Sequence, residues 1–117
     1  MVYDASKQKG CDSLAEYALD NMVFSWNETK AETNEEKHGV TFEEAATAFR
    51  DENAQLYDDE EHSDDEERFI LLGYSKISRL LIVCHCYRGG NDDVIRIISA
   101  RKAEKPERRK YEERVKP

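Results

Sequence analysis

A chain of 117 residues fits one domain with a single core, and charged and hydrophobic residues at 38% each keep that core economical. No run of roughly 18 apolar residues is present to span a membrane, and Met1 to Asp20 lacks the apolar stretch of a signal peptide, so the expected compartment is the cytoplasm. Three cysteines, Cys11, Cys84 and Cys86, are too few and too unevenly placed for a disulfide framework.

Residues 1–21 carry no clear period and are expected to be an N-terminal extension, disordered apart from a helical turn or two over Leu14 to Leu19. The domain proper is expected at 22–117. Val23 to Trp26 reads as a short strand. Asn27 suits the cap of a helix from Thr29 to Lys37, which Gly39 ends. Thr41-Phe42-Glu43-Glu44 has the form of a capping box. Phe42, Ala45, Ala46 and Phe49 then make one apolar stripe on a second helix.

From Ala54 the period switches to two. Ala54 to Asp58 reads as a strand and Asp59 to Glu66 as an acidic loop. Arg68 to Lys76, Arg79 to Arg88 and Asp93 to Lys102 are strands rich in Ile, Leu, Val and Tyr. Gly89 to Asp92 makes a hairpin loop, and the short links force these three strands to be antiparallel neighbours. Pro106 to Val115 reads as a charged helix with proline in its first turn. The expected fold is therefore α+β: two N-terminal helices on an antiparallel sheet of about four strands, with a C-terminal helix.

Net charge is −8, which argues against nucleic acid until its distribution is read. Asp51 to Glu67 holds ten acidic residues and no Lys or Arg, whereas Val94 to Pro117 holds nine bases against four acids. A basic C-terminal quarter suits phosphate; solvated surface is the blander explanation of both runs.

With Ile77-Ser78 and Gly89 to Asp92 as loops, His85 falls between Ile70 and Arg96, and Tyr87 between Arg68 and Val94. One sheet face then gathers Arg68, His85, Tyr87 and Arg96. Phe69, Leu71, Ile82, Cys84, Cys86, Ile95 and Ile97 turn towards the helices. Such a cluster suits metal-free RNA cleavage. Imidazole exchanges protons near neutral pH, and guanidinium binds phosphate through two parallel N–H bonds. Tyrosine stacks on a base. The opposing explanation makes His85 an ordinary sheet residue, with the arginines paired to the acidic loop. Lys37-His38 offers a second basic point, or simply satisfies a helix dipole. Cys84-His85-Cys86 is a poor metal site, since strand alternation turns the imidazole away from the thiols.

Between Phe24 and Tyr111 the chain resembles the BrnT family of toxins. The residues that carry the resemblance are Phe24-Ser25-Trp26-Asn27, Lys37-His38-Gly39-Val40, Phe42-Glu43-Glu44-Ala45, Glu66-Glu67-Arg68-Phe69, Arg79-Leu80-Leu81 and Ile95 to Ala103. The family pattern usually has Asp in place of Asn27 and Gly in place of Ser78. The resemblance implies a RelE-like fold and a metal-independent ribonuclease toxin of a type II toxin–antitoxin system that arrests translation. It also implies an antitoxin of the BrnA type with a ribbon-helix-helix part, through which alone DNA would be bound. His85, Arg96, Arg68 and Arg101 are the expected catalytic residues. Lys37, His38, Tyr87, Arg79 and Lys102 are the expected RNA contacts, and no cofactor or metal is expected. Two competing functions are an inactive toxin fold that only captures a protein partner, and a metal enzyme built on His38, His62 and carboxylates.

Overall fold

The structure is a computed structural model that describes residues 13–62 and 66–115. Residues 1–12 of the expected extension, Cys11 among them, and residues 63–65 of the expected acidic loop lie outside the described residues.

The chain runs β1 (Leu14–Leu19), β2 (Met22–Asn27), α1 (Glu28–His38), α2 (Phe42–Thr47), β3 (Gln55–Asp58), β4 (Phe69–Tyr74), β5 (Leu80–Arg88), β6 (Val94–Lys102) and α3 (Lys105–Val115), with 3₁₀ turns at Ala48–Arg50 and Glu60–His62. The six strands form one sheet in the order β1-β2-β6-β5-β4-β3. All neighbours are antiparallel except β2 and β6, which run parallel over Val23–Ser25 and Val94–Arg96. The α+β class and the helices match the expectation. The sheet is larger and mixed rather than purely antiparallel.

The helical turn expected at Leu14 to Leu19 is instead an edge strand. Ala15, Tyr17 and Leu19 alternate onto the core, and Tyr17 packs on Trp26 at 5.8 Å between ring centroids. Asp20, at φ 55°, turns the chain into β2; aspartate tolerates that left-handed conformation better than most residues.

The helix ends follow the sequence. Asn27 accepts from the Lys30 amide at 2.9 Å. Gly39, at φ 69°, closes α1 by donating its N–H to the Glu35 carbonyl. Thr41 accepts from the Glu44 amide at 3.0 Å. The return half of that capping box is missing, because the Glu44 carboxylate binds Arg79 and Ser75 instead.

The helices α1 and α2 cover one face, the inner face. Phe24, Trp26, Val40, Phe42, Leu71, Leu81, Val83 and Ile97 pack there as the main core. On the outer face α3 covers only one end, through Tyr111 against Leu72 and Leu80. It is held there by the Tyr111 hydroxyl, which donates to Asp51 at 2.7 Å, and by Arg101 on Glu107 through two bonds of 2.9 and 2.7 Å. The other end of the outer face is not covered by α3; Asp59 and Glu66, from the segment after β3, lie on it, and the candidate site is there.

Candidate active site on the outer face of the sheet

Strand phase decides which side chains reach the outer face. β5 pairs Leu71 with Val83, Phe69 with His85 and Ile97 with His85. That is one residue away from the register expected on both sides, and a one-residue slip turns every side chain of a strand to the opposite face. Leu81, Val83 and His85 therefore point inward. Cys84, Cys86 and Arg88 point outward.

A bulge adds a second correction. Cys84 pairs with Ser99 but His85 pairs with Ile97, so Ile98 is an extra residue in β6. It resets the alternation, and Arg96 and Arg101, an odd number of residues apart, both lie on the outer face.

His85 is consequently not at an open site. Its side chain is fully buried. Nδ1 lies 3.1 Å from the Val83 carbonyl and Nε2 lies 3.3 Å from the Tyr87 hydroxyl. Phe49, Phe69 and Tyr87 surround the ring with centroids at 4.9, 6.1 and 5.4 Å. Burial lowers its pKa, only partly opposed by the Val83 carbonyl. A histidine kept neutral and out of reach of solvent is a poor proton carrier for RNA. Tyr87 belongs to the same inner aromatic cluster, half-buried, and burial raises its pKa.

The outer face carries several cations. The Arg96 Nε donates to the Ser25 hydroxyl at 2.7 Å across the β2–β6 pair. Arg96 stands beside Cys86, and Arg88 follows two residues further along β5. Arg68, just before β4, is close enough for its charge to act on Cys84 and Glu66. Arg68 and Arg96 thus stand on the outer face on either side of β5, with Arg88 and Ser25 on that face in place of His85 and Tyr87. Arg88 was legible only once the phase of β5 was known.

Acidic side chains from the segment after β3 reach the same face. Glu66 accepts from Arg88 at 2.8 and 2.9 Å and from the Cys86 thiol at 3.1 Å. The Cys86 and Arg88 bonds hold its carboxyl below the usual range. The Cys84 thiol donates to Asp59 at 3.5 Å; burial, with that carboxylate beside it, pushes its pKa up to about 11. Burial and Glu66 also raise Cys86. Both thiols therefore act here as hydrogen-bond donors to these carboxylates.

Sequence comparison now bears on this face. A family model described as the ribonuclease toxin BrnT of type II toxin–antitoxin systems matches residues 26–107. The chain belongs to the BrnT family. The crystal structure of the Brucella abortus ribonuclease toxin BrnT superposes with a TM-score of 0.52 at 22% identity, covering 68% of this chain and 94% of that one; it shows a shared fold. No curated protein matches the chain. As a BrnT toxin of a type II system the protein has RNA as substrate and an antitoxin as partner. No helix among the described residues is long and apolar enough to cross a membrane.

The other expected residues of this BrnT toxin are dispersed. Arg101 is on the outer face, but its guanidinium is committed to Glu107 of α3. Arg79 is an internal strut: it donates to Glu44 and, at 2.9 Å, to the Gly39 carbonyl. Lys102 is exposed at the end of β6, where its charge helps lower the pKa of Glu44. Lys37 and His38 line a 240 Å³ groove between α1 and the bulged part of β6, with Lys30, Thr33, Ile98 and Ser99. The family match begins at Trp26, so β1 and most of β2, Ser25 included, lie outside the matched segment.

Proposed function

We propose that this toxin binds and cleaves RNA on the half of the outer sheet face that α3 does not cover, with Arg96, Arg68 and Arg88 holding the scissile phosphate. The observation that carries this reading is that Arg68, Arg88 and Arg96 share the outer face of three neighbouring strands away from α3, with Arg96 fixed by Ser25 at 2.7 Å. A guanidinium stays charged and presents parallel donors, which suits the extra negative charge of a phosphorane. Cleavage needs no metal in this reading. Lys37 and His38, with Lys30, give the flanking strand a second cationic contact in the groove along α1. His85 has a packing role, and Arg79 and Arg101 act through the elements they pin.

The antitoxin would be of the BrnA type, with a ribbon-helix-helix part that carries DNA binding and lets the pair repress its own operon. That part of the proposal rests on the family resemblance. The toxin would act in the cytoplasm on RNA needed for translation.

The test is cleavage of total RNA by purified protein, wild type against Arg96→Ala and Arg68→Ala, with and without a chelator. Removing Arg96 is expected to lower cleavage about 10²–10³-fold, the cost of deleting one donor to a developing oxyanion, while the chelator has no effect. Intact RNA with wild-type protein that still captures its antitoxin tightly would replace this reading with an inactive binding module.

A further inference from the structure

We infer that Glu16, on the edge strand β1, is a catalytic residue: the carboxylate that takes the proton from the attacking 2′-hydroxyl. The inference rests on the outer-face reading of the RNA site. It starts from a single row of paired residues that crosses the sheet. Glu16 pairs with Ser25, Ser25 pairs with Arg96, and Arg96 pairs with Cys86. Tyr17 turns inward onto Trp26, so strand alternation turns Glu16 outward, onto the face that carries Arg96.

Neighbouring strands stand about 4.8 Å apart, which places the Glu16 and Arg96 backbones about 10 Å from each other with the small Ser25 between them. Ser25 is 5% exposed, and the Arg96 guanidinium reaches onto its hydroxyl at 2.7 Å. The two long side chains stand on either side of the Ser25 hydroxyl, so a ribose and its phosphate laid along this row would meet the cation on one side and the carboxylate on the other.

Among the described residues, the competing bases on this face are already engaged. Glu66 is bonded to Arg88 and Cys86, Asp59 accepts from Cys84, and Glu107 is clamped by Arg101. His85 is sealed on the inner side. Glu16 is exposed and has no ion-pair or hydrogen-bond partner among the described residues.

In the step, the 2′-oxygen forms a bond to phosphorus and its proton passes to the Glu16 carboxylate. The phosphorus–O5′ bond breaks, and the leaving oxygen takes a proton from water. The products are a 2′,3′-cyclic phosphate and a 5′-hydroxyl end, and Glu16 returns its proton to solvent. Arg96 carries the charge on the phosphorane throughout.

The experiment compares wild type, Glu16→Gln, Glu16→Asp and Arg96→Ala for single-turnover cleavage, RNA affinity and the pH dependence of the rate. Glu16→Gln is expected to cut the rate constant about 10²–10⁴-fold, the usual contribution of a general base. It should leave RNA affinity within about twofold of wild type and abolish the limb of the profile that rises with pH. Glu16→Asp should restore that limb at an intermediate rate. A Glu16→Gln protein that cleaves at the wild-type rate while Arg96→Ala is inactive would overturn the role of Glu16 alone. Full rates in both would overturn the outer-face site as well. A loss in Glu16→Gln that appears only in RNA affinity, with the pH profile unmoved, would also overturn it.

Discussion

The side chain of Asn34 stands in for a missing strand along the edge of Ala100. It donates to the Ala100 carbonyl at 2.8 Å and accepts from the Ala100 amide at 3.0 Å. A further bond goes to the Val40 carbonyl at 3.0 Å. β2 leaves β6 after Arg96, because Asn27 starts α1, so the second half of β6 has no strand on that side. Asn34→Leu should leave buried backbone groups unpaired and destabilise the fold by about 2–4 kcal/mol, since each such group costs about 1–3 kcal/mol. Urea unfolding measures this, and a change under about 0.5 kcal/mol, the range of ordinary surface substitutions, would deny Asn34 that role.

His85 gives a prediction that separates packing from catalysis. Its folded pKa is lowered by burial, so the unfolded chain takes up the proton more readily. Stability is therefore full above the unfolded pKa of about 6.5 and declines as pH falls below it, by at most about 1.4 kcal/mol per unit. His85→Phe should abolish this decline between neutral pH and the carboxylate range while keeping RNA cleavage within about threefold, less than 1 kcal/mol in the barrier. Denaturant midpoints across pH test the first half. A loss of cleavage of 100-fold in a folded His85→Phe protein would return the imidazole to the chemistry.

Glu66 occupies Arg88 before any RNA arrives. Glu66→Gln removes one charge that a phosphate must displace. RNA affinity should rise by about 3–10-fold at low salt, and its salt dependence should steepen by roughly one phosphate contact. Fluorescence anisotropy with a labelled oligonucleotide over a salt series reads both. Unchanged affinity at every salt concentration would mean that Arg88 does not meet the phosphate.

Asp51 ties the start of β3 to α3. Burial opposes its ionisation, but bonds from the Tyr74 amide, the Tyr111 hydroxyl and the Asn53 amide outweigh it and lower its pKa. A depressed carboxylate contributes stability that is present above its unfolded value of about 3.9 and is lost as pH falls through the folded value. Tyr111→Phe should cost about 1.5–3 kcal/mol, the usual worth of a hydrogen bond to a charged group. It should also make α3 the first site of proteolytic nicking. Wild-type resistance of α3 to protease in this variant would show that the helix is held by its apolar contacts alone.

Much of this protein could be read from neighbouring residues in the chain. Asn27, Gly39 and Thr41 set the helix ends through bonds spanning three or four positions, and the period-two runs located β3 to β6. The turn at Ser78 was legible too, and its φ of 64° is one that glycine takes without strain. Such features are local, so the sequence alone determines them, and the Lys-His-Gly-Val and Ile-Ile-Ser-Ala-Arg blocks were enough to point to the family.

The site needed the folded chain. Both faces of β5 are apolar enough to be buried, with Leu81 and Val83 on one side and Leu80 and Ile82 on the other. Alternation could therefore not say which face met the helices. That choice was made by the loop after Tyr74, which closes with Ser75 bonded to Arg79, and by the extra residue at Ile98. Together they sent His85 inward and Arg88 outward. The placement of β1 beside β2 brought Glu16 level with Arg96. Register is a competition between whole strands for the core, and the energy that settles it comes from residues far apart in the chain.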